Sequence, residues 1–411
     1  MSTQALDMHT STSGSPGQTV TQPTHWSGVF AMTLCAFALV ASEFMPVSLL
    51  TPVATDLRIS EGLAGQAISV SGAFALLTSL FISTLAGKAG RKSLLLWMTG
   101  LMFFSAPVIA LAPNYATYMA GRVFLGVAIG GFWSMSAASA MRLVPAAKVP
   151  RALAIFNGGN ALATVVAAPL GSYLGSIVGW RGAFLCLAPV ALIAFAWQWM
   201  SLPSMKADER ASSSANVLVL LKNPVVAFGM AAVSIFFMGQ FALFTYLRPF
   251  LETVTGVDVS TLSLILLSIG VGGFIGTILI GTVLQRRFYA TLVAIPLCMA
   301  VIALALIAFG SSLSITIALL SAWGLVATAA PVGWWSWLAR TLPENAEAGG
   351  GLMVAVVQLA IGLGSTVGGL LFDMRGYQST FVASAALLVI SAVLASLTSR
   401  AQRKQQSIQP N

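Results

Sequence analysis

Of the eleven carboxylates in the chain, ten fall in tails, loops or helix ends: Asp7, Asp56, Glu61, Asp208, Glu209, Glu252, Asp258, Glu344, Glu347 and Asp373. Glu43 alone lies deep within an apolar run, ASEFMPVSLL. A carboxylate in hydrocarbon is costly when ionised, so the neutral acid is favoured. Such a group can load a proton from one aqueous side and release it to the other. The plainer alternative is a protonated Glu hydrogen-bonded to a neighbouring helix. The proton-carrying reading is preferred because intramembrane ionisable groups are functional by default. Pro46, three residues on, removes a backbone donor and frees a carbonyl, either as a simple kink or where a cavity is lined. Arg122 also interrupts an apolar stretch, where it either snorkels to the outer interface or steadies a negative charge in a cavity.

Uncharged polar groups follow the same pattern. Asn157, Asn160, Gln240, Thr245, Tyr246 and Gln358 all fall inside apolar runs. Each offers donors and acceptors suited to a neutral hydroxylated ligand. The alternative is hydrogen bonding between helices, worth about 0.6 kcal/mol on average. For Gln240 ligand contact is preferred, and Phe241 beside it is placed with it. Aromatic residues gather at Phe132-Trp133 and at Trp334, Trp335 and Trp337. Trp337 is expected at the membrane edge as an anchor. Trp133 lies too deep for that, and Trp334 is expected to face inward. Both suit stacking on a planar ring.

Other chemistries are excluded. The two histidines, His9 and His25, lie in the N-terminal tail, which leaves no metal site or catalytic triad among the apolar runs. Cys35, Cys186 and Cys298 form an odd, scattered set expected to be buried, neither a disulfide framework nor a zinc site. Gly87-Lys88-Ala89-Gly90-Arg91-Lys92-Ser93 is glycine-rich and basic but does not fit a nucleotide-binding loop. The chain is therefore not expected to be an enzyme, to bind a metal or to need a cofactor. Its energy must come from an ion gradient or from the substrate's own gradient.

The elements that position these residues are spanning helices. The chain has 411 residues, 57% hydrophobic and 8% charged, with a mean hydropathy of +0.90. A soluble domain carries about 25% charged residues, and a disordered chain needs low hydrophobicity. A spanning helix needs roughly 20 apolar residues. Twelve apolar segments are read: 28–53, 63–86, 93–112, 117–141, 152–177, 182–202, 224–247, 261–284, 289–309, 313–338, 350–372 and 379–399. This predicts an all-α membrane protein with twelve transmembrane helices in two pseudo-symmetric six-helix bundles, 26–202 and 224–400. Residues 1–25 are expected to be a disordered cytoplasmic tail, 203–223 a cytoplasmic linker and 401–411 a second tail.

The net charge of +9 fits this layout better than nucleic-acid binding. With the N-terminus inside, fifteen Lys and Arg fall on the cytoplasmic side, against Arg58, Arg181, Arg248 and Arg375 outside. Both termini are expected inside. The halves also repeat. Glu43-Phe44 and Pro52 recur 197 residues later as Gln240-Phe241 and Pro249. Arg142-Leu-Val-Pro145 recurs as Arg340-Thr-Leu-Pro343, Asn160 as Gln358 and Gly171 as Gly369, all at an offset of 198. Parallel repeats of this kind place a substrate site at the midplane between the halves. The pairs Gly126/Gly130, Gly171/Gly175, Gly272/Gly276 and Gly364/Gly368 are expected to bring helices close together.

These residues resemble the major facilitator superfamily, specifically its drug:proton antiporter branch. Lys88, Gly90, Arg91 and Lys92 are similar to that family's G-x-x-x-D-R-x-G-R-[KR] loop, with Ser83 and Gly87 departing from it. Gly159 together with Ala168-Pro169-Leu170-Gly171 resembles the antiporter motif of helix five. The resemblance implies that Lys88, Gly90, Arg91, Gly159, Pro169 and Gly171 serve gating. The stretches 43–57, 130–137, 141–145, 239–249 and 331–337 are similar to the purine ribonucleoside efflux family, with sugar efflux transporters as cousins. That similarity implies proton-driven export of nucleosides of the inosine and guanosine type from a bacterial inner membrane. The implied partners are a small-molecule substrate, protons and the lipid bilayer, with no nucleic acid and the chain a monomer. Glu43 and Arg122 would serve proton coupling. Gln240, Asn157, Asn160, Gln358, Trp133, Trp334, Tyr246 and Phe241 would serve the substrate. A sugar or amphipathic-drug exporter of the same fold, and a transport-inactive receptor, are the alternatives.

Overall fold

A computed structural model describes residues 24–86, 90–145, 148–205, 217–343 and 346–408. The expectations for Lys88, for the tail up to residue 23 and for most of the linker lie outside the described residues. The long helices are α1 (Trp26–Leu57), α2 (Glu61–Ala86), α3 (Arg91–Ala110), α4 (Tyr115–Arg142), α5 (Val149–Leu185) and α6 (Leu187–Ser201). They continue with α7 (Pro224–Phe244), α8 (Val259–Arg286), α9 (Phe288–Phe309), α10 (Leu313–Thr341), α11 (Ala346–Arg375) and α12 (Tyr377–Ile408). Ten described helical stretches are long and apolar enough to cross a membrane, with α5 and α6 running together as one. α4, with Arg122 and its serine-rich end, falls outside that set, yet Leu125, Ala128, Ile129 and Phe132 bury its face.

Local signals set the helix ends. Asn114 accepts the Thr117 N–H at 3.0 Å, Asn223 accepts from Val225 at 2.9 Å, and Asp258 accepts from Thr261 at 3.2 Å. Each fills an orphan donor of a first turn. The break between the fifth and sixth spans falls at Gly179, whose φ of 71° and ψ of 167° are not helical. After α7 the chain makes one helical turn, Leu247–Phe250, and a π-helical turn, Leu251–Thr255. The last helix runs past residue 400, where the Tyr289 hydroxyl donates to the side-chain oxygen of Gln402.

The four glycine pairs sit at helix crossings. A Cβ on Gly126 or Gly130 would lie 2.5 or 2.2 Å from carbonyl oxygens of α2. On Gly272 or Gly276 it would lie 2.5 or 1.9 Å from those of α10. Gly171 and Gly175 meet α1, and Gly364 and Gly368 meet α7. The crossings α2–α4 and α1–α5 of the first bundle thus recur as α8–α10 and α7–α11 of the second. A duplicated six-helix unit has this pattern.

Three sequence expectations are corrected. Cys35 is buried, but Cys186 and Cys298 are exposed, because each lies on an outward face of its helix. Trp337 is fully buried with its ring against Gly229, so it is not an interface anchor, and the exposed member of that cluster is Trp335. Arg248, counted among the outer loop charges, is 5% exposed and lies between the bundles.

Candidate functional site

The bundles meet along two seams, α2 against α11 and α5 against α8. Cross-bundle hydrogen bonds gather toward the end that carries the α1–α2 turn. There the Ser365 hydroxyl donates to the Gly65 carbonyl at 2.9 Å and Ser69 to the Gly362 carbonyl at 2.8 Å. The Gly62 N–H donates to the Asp373 carboxylate at 2.9 Å. At mid-height a Cβ on Gly270 would strike Val165, and one on Gly72 would strike the Gln358 carbonyl. Two turns further toward the termini, on the same helix faces as Val165 and Gln358, Gly158 and Gly351 have nothing within 4 Å. Among the described residues the bundles are joined at the α1–α2 end, and these two faces are no longer in contact toward the termini.

Glu43 sits where the seal ends. It is 6% exposed, and its carboxylate accepts the Gln358 side-chain N–H at 3.2 Å across the bundle interface. Next to it Phe44 stacks on Phe241 with ring centroids 5.6 Å apart and an interplanar angle of 26°. Phe44 and Phe241 occupy equivalent positions in the two repeats. Equivalent residues touch only beside the axis that relates the halves, so Glu43 lies next to that axis.

The proline breaks of α1 explain two buried arginines. Pro46 and Pro52 lack the N–H that would bond the carbonyl four residues earlier, so the carbonyls of Ser42 and Ser48 lose their helical donor. Arg122 is fully buried and does not snorkel. Its guanidinium donates to the carbonyls of Ser42 at 2.8 Å, Ala67 at 3.0 Å and Glu43 at 3.2 Å. It therefore closes the break at Pro46, ties α1 to α2 and brings a positive charge beside Glu43. The Ser48 carbonyl is taken by Arg248, which also donates to Glu252 at 2.7 Å. Sequence reasoning missed Arg248; the signal was an Arg directly before the repeat twin of Pro52.

The remaining expected residues divide. Gln358 is joined to Glu43. Gln240, the repeat twin of Glu43, is half-buried, and its side-chain oxygen is inaccessible and accepts no hydrogen bond. Asn160, the repeat twin of Gln358, is also half-buried. Trp133 is half-buried and packs edge-on against Phe132 and Phe156 at 6.1 and 5.9 Å. Trp334 is 2% exposed and packed on Trp337, so it presents no open face in this conformation. Asn157 is exposed and donates to the Leu153 carbonyl at 2.9 Å, one turn back in its own helix. Tyr246 is fully buried; its hydroxyl donates to the Ser365 carbonyl at 2.8 Å in its own bundle and to the Gly62 carbonyl of the other at 3.5 Å, so it belongs to the seal at the α1–α2 end.

Among the expected gating residues, Gly159 lets α5 approach α1: a Cβ there would lie 2.4 Å from the Thr33 carbonyl oxygen. Pro169 and Gly171 are buried further along the same helix. A Cβ on Gly90 would lie 3.0 Å from the Met205 carbonyl oxygen, which accepts the Arg91 backbone N–H at 3.0 Å. This loop therefore holds the chain as it leaves α6.

This architecture and sequence have relatives. A family model described as Major Facilitator Superfamily matches residues 32–365. The chain is 64% identical over 405 residues to a Pseudomonas aeruginosa protein named transcription regulatory protein OpdE, covering 98% of this chain and 99% of that one. It is 42% identical over 370 residues to the purine ribonucleoside efflux pump NepI of Salmonella paratyphi C, covering 90% and 93%. A bacterial homologue of the human lysosomal transporter Spinster, solved inward-facing and unoccupied, superposes with a TM-score of 0.77 at 16% identity, covering 93% of this chain and 98% of that one. A D-xylose–proton symporter does so at 0.73 and 17%, covering 90% and 97%. At those identities the solved structures bear on the fold alone. A transporter architecture of two repeated bundles, an acid at their junction and these sequence matches lead to one assignment: the chain belongs to the Major Facilitator Superfamily of membrane transporters.

Proposed function

We propose that this transporter is a proton-coupled antiporter that exports purine ribonucleosides, oriented in a bacterial inner membrane with both termini in the cytoplasm. The observation that carries the reading is the carboxylate of Glu43. It is buried at the bundle junction and hydrogen-bonded across it to Gln358, two turns of α11 from Gly351, where the facing bundles are no longer in contact. An acid so placed meets the cytoplasmic cleft in this conformation. It meets the outside once the seal at the α1–α2 end parts.

The repeat supports the position of the substrate. On one side of the axis Glu43 and Gln358 satisfy each other. On the other side their twins, Gln240 and Asn160, do not: Gln240 keeps a buried acceptor with no donor. A buried polar atom left unpaired costs about 1–3 kcal/mol, which a ligand hydroxyl or N–H removes once the Gln240 side chain turns out of its buried position. Ribose hydroxyls and purine edges supply such groups. Trp133, half-buried against the first-bundle core, is suited to back the ring. In the cycle, Glu43 gives its proton to the cytoplasm as the nucleoside binds, the bundles rock, and an external proton replaces the nucleoside. The nucleoside assignment itself rests on similarity to pumps so named.

The test uses vesicles of purified protein with an imposed pH gradient. Inosine should accumulate against its gradient in proportion to ΔpH, and Glu43→Gln should abolish this while leaving inosine binding measurable. Accumulation that survives Glu43→Gln removes the proton role. Arabinose or a cationic dye competing better than inosine removes the nucleoside assignment.

A second reading is favoured by the name of the Pseudomonas aeruginosa relative. A carrier alters transcription when it sets the intracellular level of an effector. On that view a transcriptional response should vanish together with transport in Glu43→Gln. A response that persists without flux would mark a receptor.

A further inference from the structure

We propose that Arg248 is the releasable latch of the seal at the α1–α2 end, and that Pro52 exists to give it a seat. The inference rests on the alternating-access reading of the fold but not on the substrate or the coupling ion.

The two proline breaks of α1 are chemically alike and differ in where their arginines come from. At Pro46 the donor is Arg122, on α4 of the same bundle, and its acceptors lie on α1 and α2 of that bundle. Nothing in a rigid-body rocking of the bundles disturbs that arrangement. At Pro52 the donor is Arg248, just beyond α7 in the other bundle, and its acceptor, the Ser48 carbonyl, is on α1. Parting the bundles at this end must break the second bond and leave the first intact.

The site is built for release. A carbonyl already bonded within a helix is a weak second acceptor, and the proline leaves this one available. Arg248 keeps a partner when it lets go, because Glu252 follows it by one helical turn at 2.7 Å. A cavity of about 580 Å³ lies directly over the contact, lined by Thr51, Pro52, Asp56, Arg58, Arg248 and Glu252. Water there can take up the Ser48 carbonyl and a withdrawing guanidinium. At this contact the cost of parting is thereby one charge-assisted hydrogen bond rather than a stranded charge. Arg248 touches no reacting group on this view. It is a positioning residue that sets how often the seal opens.

The test measures opening directly, without substrate or gradient. Spin labels are placed at Pro113, in the α3–α4 turn, and Ser311, in the α9–α10 turn, both exposed at the sealed end of opposite bundles. The full-length chain carries Cys35→Ala, Cys186→Ser and Cys298→Ser and sits in lipid nanodiscs. The unsubstituted background should show mainly the short distance. Arg248→Gln should raise the long-distance population about tenfold, the effect of losing one hydrogen bond to a charged group. Pro52→Ala, which restores the helical donor to Ser48, should raise it in the same direction, and the double variant should match Arg248→Gln alone. Arg248→Lys should fall between. If Pro52→Ala leaves the distribution unchanged, or if the two substitutions add, the seat is not the Ser48 carbonyl and the proposal fails. Should Arg248→Gln be too unstable to purify, the Arg248→Lys and Pro52→Ala cycle reads the same coupling. A failure here leaves the pH-driven transport of inosine untouched, and the reverse also holds.

Discussion

Glu43, charged in an apolar run, is buried at the bundle junction, and Arg122, charged in another, is buried beside it within the first bundle. The sequence groups the two for proton coupling but does not show how they meet, because Arg122 binds carbonyls and every residue has one. The connection runs through Pro46, which deprives Ser42 of its donor 80 residues away from the arginine that replaces it. This predicts a specific coupling. Arg122→Met leaves the carbonyls of Ser42, Glu43 and Ala67 without this donor and should lower unfolding stability by about 3 kcal/mol. Adding Pro46→Ala returns an N–H to Ser42 and should recover about 1 kcal/mol of that loss. Thermal unfolding of the four-member set in detergent reads the interaction, and strict additivity would sink it. The same blindness to geometry explains the misplaced aromatics. Tyr246 and Trp337 have the residue types of a ligand site and an interface anchor. Helical phase turned the first into the seal and the second onto Gly229.

Helices were read well from composition, and their crossings from small residues four apart, because in lipid close approach is what such spacing provides. The seam glycines, Gly62, Gly65 and Gly72, carry no such spacing toward a partner and were passed over, although a Cβ on Gly65 would lie 2.1 Å from the Tyr246 hydroxyl. Neighbouring glycines of α5 give a test of the element-level reading. At Gly159 an added Cβ would lie 2.4 Å from the Thr33 carbonyl oxygen, which is backbone and cannot swing away. Gly159→Ala should therefore push α5 off α1 and cost about 1–3 kcal/mol of stability. At Gly158 nothing lies within 4 Å. Gly158→Ala should raise stability by about 0.4–1 kcal/mol through reduced freedom of the unfolded chain. It should still slow transport, because the face of Gly158 must meet α8 when the cleft end closes. Melting temperatures of the two variants should thus move apart: Gly159→Ala loses stability, whereas Gly158→Ala gains stability and loses rate. A Gly158→Ala protein with unchanged turnover would show that this face never closes on α8.

At the scale of the whole molecule the repeat does most of the explaining. It was legible as a near-constant offset, and the shared crossings give it a physical form. The sequence could not tell that the twins had diverged in use, with Glu43–Gln358 paired and Gln240 unpaired, because that depends on which end of the molecule is sealed. A single buried acid among the described residues of an otherwise duplicated machine has an electrical consequence. In the proposed cycle Glu43 crosses the field neutral, as the acid, in one direction. It crosses ionised, beside the neutral nucleoside, in the other. One positive charge therefore enters for each nucleoside that leaves. Moving one charge through 100 mV is worth about 2.3 kcal/mol. An inside-negative potential of that size should by itself support an outward nucleoside gradient of about fiftyfold, at ten per 1.4 kcal/mol. Vesicles with a potassium diffusion potential and no pH difference measure this: export from the negative side should be accelerated, and reversing the potential should reverse the gradient. Glu43→Gln carries no mobile charge, so any residual exchange should be indifferent to voltage. Voltage-independent gradients in the unsubstituted protein would mean that the charge on Glu43 is balanced within each crossing, and the one-proton exchange would have to be abandoned.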